Sequence, residues 1–423
     1  MPIKNKLFIK NNSLFQRIIV FLEDSDCSWF CFFLTFVFAI SLRNFLEIFS
    51  AQTKAITPEA ILHYSFFYLS LALTVVLLSF FITREKINKI ARVVFPCFIV
   101  VVLVPLFDLL LSGGRGHNIV YLSPENSGNL LVKFFTFLSG WGGAGISPGM
   151  RLEIVLVLVF FLAYFYLKTR KFLRSLLGIF VIYSLFFLYN TSPVILSSFF
   201  SFLDIKYLNT NFLFLQAYLL SIFVITSILA FLYRGKFLKD FLKNIKPFKL
   251  LFFEFIFALG IIYGLWESKF VLNSANFFGF FLAPVGIALA WFFVAIRDDP
   301  PRKLFGLGTK KHFYLNLSWV FLLSSILYGW AVSFEVCFLI LVFAGNFFLY
   351  SAPPFQIKKI PILAEIIVSL NALILFMTGF IFITAGSFLD FPSFFWPVFL
   401  ISGTLFLIIY NLKNYKAVQK ILK

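Results

Sequence analysis

A short proline-rich turn carries the two charges in this chain that are best placed to do chemistry. The residues Tyr350-Ser-Ala-Pro-Pro-Phe-Gln-Ile-Lys-Lys-Ile-Pro361 stand between two long apolar runs. Because proline cannot continue a helix, the two adjacent prolines end the first run, and Pro361 is suited to start the next. Lys358 and Lys359 then carry positive charge at a membrane surface, where an anionic head group can reach them. The alternative is that these lysines only mark one side of the membrane, as basic loop residues commonly do.

Two adjacent carboxylates form a second candidate site. Asp298 and Asp299 lie within Ala295-Ile-Arg-Asp-Asp-Pro-Pro-Arg-Lys-Leu-Phe-Gly-Leu-Gly308, and Mg²⁺ prefers oxygen ligands of this kind. On a helix, adjacent side chains point about 100° apart and do not face each other as i, i+4 neighbours do. A solvated loop pair close to Arg297 and Arg302 is therefore the alternative to a metal site.

Three further acids lie close to the ends of apolar runs, where ionisable residues are candidates for function. We expect Asp108 to contact Arg115 or to reach water. Glu254 is expected to extend towards Lys249 or towards water. Glu365 falls in the first turn of a predicted helix, where an acid suits the helix dipole, so we expect it to have a capping role.

The elements that hold these residues are membrane-spanning helices. Hydrophobic residues make up 61% of the 423 and charged residues 13%, whereas a soluble domain carries about 25% charged residues. Spans must be helices, because lipid cannot satisfy exposed backbone groups and no alternating strand pattern is present. The sequence predicts an all-α polytopic bundle of about twelve spans, near 27–42, 60–83, 93–112, 150–167, 172–190, 212–233, 250–266, 272–296, 314–333, 335–352, 361–384 and 393–411.

The distribution of positive charge predicts the orientation. Most of the 36 Lys and Arg fall in the segments that twelve spans place on the same side as both termini. This asymmetry predicts a multi-pass protein of the cell (plasma) membrane with its N-terminus and C-terminus in the cytoplasm. The net charge of +18 then faces anionic membrane lipid. Nucleic acid is not an expected partner, because no soluble basic domain is present to bind it.

The chain divides into two halves near residues 234–249, where Phe and Leu alternate with Lys at helical spacing. This pattern is typical of an amphipathic segment that lies on a membrane surface, and a plain basic linker is the alternative. We predict a six-span membrane domain of unknown function over 1–235 and a second domain over 236–423.

The second half resembles the UbiA-type superfamily of membrane prenyltransferases. The resemblance covers about residues 236–423 and depends on the order of features. The basic lead-in at 236–249 precedes two spans and the loop at 297–313, and two more spans then lead to the proline-lysine turn. The following Ile362-Leu-Ala-Glu-Ile-Ile-Val368 looks like the family's sequel to this turn. The tail Leu412-Lys-Asn-Tyr-Lys-Ala-Val-Gln419 looks like a worn copy of the family's second aspartate motif.

The resemblance implies a chemistry and a set of site residues. In this family a polyprenyl diphosphate loses its diphosphate, and the carbocation-like allylic carbon then alkylates an acceptor molecule. Two Mg²⁺ ions held by aspartate-rich loops neutralise the leaving group, and nearby basic residues grip the same diphosphate. By position, the resemblance implies diphosphate binding by Lys358, Lys359, Tyr350, Ser351 and Arg302, and metal binding by Asp298 and Asp299.

The chain departs from the family at both aspartate motifs. The first motif has the form N-D-x-x-D-x-x-x-D, and here Arg297 stands at the position of its Asn and Asp298 at that of its first Asp. In the degenerate second motif, Asn414 replaces the first Asp and follows Lys413. Members usually have nine spans, whereas 236–423 holds six, so we expect that a second chain could complete the bundle.

Three functions follow as expectations. The first is a prenyltransferase homologue that transfers a polyprenyl group to an acceptor. The second is a non-catalytic relative that binds isoprenoid lipid or a partner subunit. The third is a multi-span transporter, which the number of spans suits, although neither half contains the broken helices and central ion-binding residues that such folds use.

Overall fold

The computed structural model describes residues 14–25, 29–50, 58–117, 128–139, 146–268, 270–298, 311–352, 355–360, 362–386 and 388–421. Within these ranges the regular elements are α-helices and short 3₁₀ helices, without any β-strand. The predicted all-α class is therefore confirmed. The helices form two compact units, Met1–Tyr233 and Arg234–Lys423, called unit 1 and unit 2 below.

Ten helices in the described ranges are long and apolar enough to cross a membrane, as expected for a multi-pass membrane protein. The predicted spans near 314–333 and 393–411 coincide with apolar helices whose described apolar parts are shorter, Leu315–Trp330 and Phe395–Ile409. The count of twelve therefore remains a prediction. The ten are Phe30–Ser50, Ile61–Thr83, Ile87–Leu111, Pro148–Thr169, Phe172–Asn190, Asn211–Lys236, Pro247–Glu267, Ser274–Arg297, Phe334–Ser351 and Leu363–Thr384.

Unit 1 packs its helices around an aliphatic and aromatic core in which Ile19, Ile90 and Ile182 are completely buried. At one end, Lys168 Nζ lies 2.6 Å from Glu23 Oε2, and Glu23 is only 3% exposed. This buried ion pair ties the first helix to a later one. The described helices that begin in unit 1 are α1 (Leu14–Glu23), α2 (Trp29–Ser50), α3 (Pro58–Thr83), α4 (Ile87–Cys97), α5 (Leu103–Leu111), α6 (Leu130–Phe135), α7 (Pro148–Thr169), α8 (Phe172–Asn190), α9 (Ser192–Phe202) and α10 (Asn211–Asn244).

Asp108 of α5 neither contacts Arg115 nor reaches water, so both expectations for it are wrong. It is 1% exposed, and its Oδ1 accepts a hydrogen bond of 2.7 Å from the backbone N–H of Gly149. Gly149 lies in the first turn of α7, where unpaired N–H groups and the helix dipole favour a negative charge. The carboxylate therefore caps a helix whose first turn lies 41 residues further along the chain.

Unit 2 is organised around one central helix. Every residue from 371 to 383 is buried, which is expected of a helix that is apolar on all sides and enclosed by other helices. The run α10 leaves helical geometry at Arg234 (φ −149°, ψ 63°), and its last part, 235–244, belongs to unit 2. The other helices of unit 2 are α11 (Pro247–Glu267), α12 (Ser274–Asp298), α13 (Lys311–Trp330), α14 (Phe334–Ser351), α15 (Leu363–Thr384, the central helix) and α16 (Phe395–Ile421).

Helices α11 and α15 approach so closely that their contact has room for glycine only. A Cβ atom at Gly260 would lie 1.9 Å from the carbonyl oxygen of Phe376, and one at Gly379 would lie 2.1 Å from that of Phe257. Small residues allow helix backbones in membranes to pack at such short range. This contact fixes α11 against the central helix.

The lead-in segment packs against unit 2 through its apolar side. Phe241 and Ile245 are buried in the core of the unit, whereas Lys236 and Lys239 are exposed. The indole N–H of Trp291 donates a 2.8 Å hydrogen bond to the carbonyl oxygen of Ile245. The segment is therefore amphipathic, and both packing and this hydrogen bond attach it to α12.

Candidate functional site

The proline-lysine turn begins where α14 ends. Ser333 caps the start of this helix, since its Oγ accepts a 3.1 Å hydrogen bond from the N–H of Val336. Ser351 closes the helix; it is 3% exposed, and its hydroxyl donates to the carbonyl oxygen of Phe347 at 2.9 Å. The preceding Tyr350 is partly buried, and its ring lies 5.9 Å from that of Phe347. The Ser351 hydroxyl is thus engaged by its own helix, and the Tyr350 ring packs against Phe347 of the same helix.

The turn itself presents the two lysines to the surroundings. Residues Ile357–Lys359 form one turn of 3₁₀ helix, and Lys358 and Lys359 are both exposed. The flanking Gln356 has a φ of 44°, and Ile362 has a φ of 71°. A β-branched residue at positive φ is strained, typically by about 1–3 kcal/mol, and such strain persists only where the surroundings impose it. The packing of α14 and α15 therefore imposes the shape of the lysine turn. The three prolines of the motif lie outside the described residues.

Helix α12 ends beside the turn. The ring of Phe293, close to the end of α12, stacks at 6.0 Å on that of Phe348, close to the end of α14. Both helices run in the same direction, so the end of α12 at Asp298 and the start of the turn lie at the same end of unit 2. The side chain of Asp298, and all of Asp299 and Arg302, lie outside the described part of the structure.

Arg297 turns away towards α13. Its Nε donates a 3.0 Å hydrogen bond to Ser318 Oγ, and its guanidinium carbon lies 4.9 Å from the ring centroid of Trp319. A planar guanidinium binds well both to a hydroxyl and to an aromatic face. Arg297 thus stabilises the contact between α12 and α13.

The tail helix reaches the same end of unit 2. Asn411 Nδ2 of α16 donates a 3.2 Å hydrogen bond to Glu365 Oε1, in the first turn of α15. Glu365 is 5% exposed. We expected Glu365 to have a capping role. The structure shows its carboxylate hydrogen-bonded to Asn411, 46 residues further along the chain, and sequence spacing could not reveal this contact. Lys413 and Asn414 continue this helix, and their side chains lie outside the described part of the structure.

Two polar residues lie within the helices of unit 2, and sequence analysis singled out only Glu254. Asn371 of α15 is completely buried, and neither side-chain atom has a hydrogen-bond partner within the described ranges. Glu254 of α11 is partly buried and makes no ion pair with Lys249 within those ranges. Buried polar groups usually have partners, so Asn371 is the residue of α15 that packing alone does not explain.

The acid groups that the structure describes at this end do not form a metal centre. Within the described ranges, no three His, Cys, Asp or Glu side chains gather to hold a metal ion. The tail carries Lys413 and Asn414, and the buried acid in the first turn of α15, Glu365, is bonded to Asn411. Hard cations require several carboxylate oxygens, and the acids that the sequence offers for this at the end of α12 are Asp298 and Asp299.

A cavity of about 200 Å³ lies elsewhere, between α8, α9 and α10 of unit 1. Its hydroxyl groups bind other protein groups: Tyr189 lies 2.6 Å from Ser70, and Tyr218 lies 3.0 Å from Ser192. No lysine or arginine lines it, so it offers no cation to a diphosphate. We therefore place the candidate site at the lysine turn and not in this cavity.

Comparison of the chain with protein-family models, with curated proteins and with solved structures finds no match. The family resemblance therefore depends on the residues of unit 2 alone.

Proposed function

We propose that unit 2 is a homologue of UbiA-type prenyltransferases that binds a polyprenyl diphosphate at the end carrying the lysine turn. The observation that carries the proposal is the convergence at that end. The lysine turn, the end of α12 at Asp298 and the tail at Asn411 meet there, in the order in which that family arranges its diphosphate site. The proposal also places this end in the cytoplasm, with both termini, and places the chain in the cell membrane.

A polyprenyl diphosphate has a charged head and an apolar chain, and this end of unit 2 offers exposed lysines for the first and apolar helix surfaces for the second. Lys358 and Lys359 are exposed on a turn whose shape is imposed by its neighbours, and ammonium groups bind phosphate oxygens strongly. The apolar helix surfaces next to the turn suit an isoprenoid chain. The acceptor molecule for the polyprenyl group would reach this end of unit 2 from the same membrane.

Transfer is a further step that this chain supports less well than binding. In the family, Mg²⁺ stabilises the departing diphosphate, but only Asp298 and Asp299 stand where metal ligands are expected. Lysines alone can hold a diphosphate without activating it. The second candidate function, a non-catalytic relative that binds isoprenoid lipid or a partner subunit, is favoured by Lys413 and Asn414 in the tail.

Binding of a radiolabelled prenyl diphosphate to the full chain in lipid nanodiscs tests the proposal. The double variant Lys358→Gln/Lys359→Gln should bind about a hundredfold more weakly, since each lysine contributes roughly one charged hydrogen bond of about 1.5 kcal/mol. The matched control, Lys236→Gln/Lys239→Gln, removes two exposed lysines of the lead-in and should leave binding unchanged.

Three outcomes decide between the functions. Equal loss of binding in both double variants would mean that charge alone attracts the ligand, and the proposed site would be wrong. Product formation with Mg²⁺ and an aromatic acceptor, abolished by Asp298→Ala/Asp299→Ala, would establish transfer. Binding without any product would establish the non-catalytic relative.

A further inference from the structure

A short helix of unit 1 lies against the middle of a membrane-spanning helix. Helix α6 (Leu130–Phe135) has six residues and is too short to cross a membrane itself. The ring of Phe134 lies 5.0 Å from that of Tyr183 and 6.0 Å from that of Phe180, both on α8. The short helix therefore packs along the side of α8 and not beyond its end.

The positions of these contacts along α8 give the depth of α6. The span Phe172–Asn190 has 19 residues. At about 1.5 Å per residue it is about as long as the hydrocarbon core of a bilayer is thick, roughly 30 Å. Tyr183 and Phe180 precede the end of α8 by seven and ten residues, or about 10 and 15 Å along the axis. Phe134 therefore lies about a third to a half of the way through the membrane.

A second spanning helix gives a similar depth. Phe137, in the turn that follows α6, is 1% exposed and shares a buried cluster with Phe187 of α8 and Ile154 of α7. Ile154 follows Pro148, the first residue of α7, by six positions, or about 9 Å along the axis. The turn after α6 thus also lies below the level at which the spanning helices end.

The connection between α5 and α7 begins and ends at one side of unit 1. Asp108, close to the end of α5, accepts its hydrogen bond from the N–H of Gly149, in the first turn of α7. A Cβ atom on Gly149 would lie 2.5 Å from the carbonyl oxygen of Val104, so these two helix ends are in direct contact. Since α6 belongs to this connection and lies at membrane depth, the chain enters the membrane and returns to the same side.

The ends of α6 find hydrogen-bond partners within the protein. Asn129 Oδ1 accepts hydrogen bonds from the N–H of Leu131 at 3.0 Å and from that of Val132 at 3.3 Å. Near the other end, the hydroxyl of Tyr183 donates to the carbonyl oxygen of Phe134. Lipid offers no hydrogen bonds to the unpaired groups at a helix end. Side-chain partners of this kind are what a helix end inside a membrane requires.

One face of α6 is apolar and exposed. Leu131 is 69% exposed and Phe135 is 78% exposed, with the exposed Val132 between them in the chain. Phe180 of α8, which contacts Phe134, is also exposed. The exposed face of α6 therefore continues the exposed apolar surface of a membrane-spanning helix.

The charged residue of α6 extends back along the chain. Lys133 is partly buried, and its Cε lies 3.7 Å from the point at which a Cβ atom on Gly128 would stand. Gly128 is the residue with which this described segment begins. Lysines near a membrane surface extend in this way, with the apolar stem in lipid and the ammonium group towards water.

We propose that residues 128–139 form a re-entrant membrane segment in which Leu131, Val132 and Phe135 contact the acyl chains of lipid. The depth of the contacts on α7 and α8, the capped helix ends and the continuous apolar surface all support lipid as the occupant. Unit 1 thus contains a membrane-inserted element in addition to its spanning helices.

Spin labelling of the full chain in lipid nanodiscs tests the proposal. The four native cysteines are replaced by alanine, and a nitroxide is attached at Leu131→Cys or Phe135→Cys. Oxygen dissolves in the hydrocarbon, whereas a nickel chelate stays in water. We expect both labels to collide with oxygen severalfold more often than with the chelate.

Two exposed positions provide the matched controls. Val159→Cys, on the middle of α7, should give the same ratio of collisions as the two α6 labels, and Arg115→Cys, just beyond the end of α5, should give the reverse ratio. Labels on α6 that collide with the chelate as often as Arg115→Cys would place this helix in water and overturn the proposal. Labels that neither reagent reaches would show that protein covers this face, and would overturn the assignment to lipid. Each α6 label answers the question alone, and size-exclusion chromatography shows that the labelled variant is folded.

Discussion

Replacing Gly260 by alanine tests how unit 2 is held together. In the structure a Cβ atom at this position would lie 1.9 Å from the carbonyl oxygen of Phe376, whereas real Cβ contacts essentially never fall below 3.0 Å. Because the opposing atom belongs to the backbone of the central helix, it cannot rotate away. Helices α11 and α15 must separate by at least about 1 Å, which weakens every contact along the interface.

The expected loss can be estimated. Overpacking typically costs about 1–3 kcal/mol and can cost more, and the backbone clash places Gly260→Ala at or above the upper end of that range. The intrinsic preference of alanine for helices returns about 1 kcal/mol. A net loss of about 2–3 kcal/mol should lower the melting temperature of the purified protein by roughly 5–10 °C.

The matched control is Gly345→Ala in α14, where a Cβ atom would meet nothing within 4 Å. This variant should melt at the wild-type temperature or slightly above it, because only helix propensity changes. The melting temperatures of both variants are measured in detergent, with size-exclusion chromatography of heated samples as the readout of the folded fraction. If the two alanine variants melted together, the close approach of α11 to α15 would be refuted.

Two other substitutions test buried polar groups by the same melting assay. Glu23→Gln should lower the free energy of unfolding by about 2–3 kcal/mol, because it breaks a buried ion pair with Lys168. The control Asp24→Asn lies in an exposed ion pair, in which 56% of the acid side chain is accessible, and should cost less than about 1 kcal/mol. Equal losses in the two variants would contradict the burial of Glu23. Asn371→Leu should raise the free energy of unfolding by about 1–3 kcal/mol, since it removes a buried amide that lacks partners within the described ranges. A lower melting temperature would instead show that this amide is hydrogen-bonded in the folded protein.

The sequence was sufficient to predict the helical class and most of the spans. The length of each apolar run predicts both the helical class and the spans, because a backbone in lipid must form a helix wherever about 20 apolar residues follow one another. The exposure of Lys358 and Lys359 could be predicted for a similar reason, since prolines on both sides prevent a continuous helix. Both features depend on residues that are neighbours in the chain.

Polar contacts between distant helices were beyond the reach of the same reasoning. Asp108 was expected to find a partner seven residues away and instead caps a helix 41 residues away. The bond between Glu365 and Asn411 likewise spans 46 residues. A buried polar side chain takes whichever partner the packing brings to it, and helix packing is set by close approaches such as that at Gly260, for which a single glycine in an apolar run is a weak signal.

The enclosed central helix α15 also affects how genetic data on this protein should be interpreted. Every residue from 371 to 383 is buried, so nearly any change of size or polarity in that segment disturbs packing. We therefore expect a screen for loss of function to collect many hits in α15 that act by disturbing its packing. Changes in the exposed lysine turn should disturb packing less, so their effect on function would test the proposed binding site.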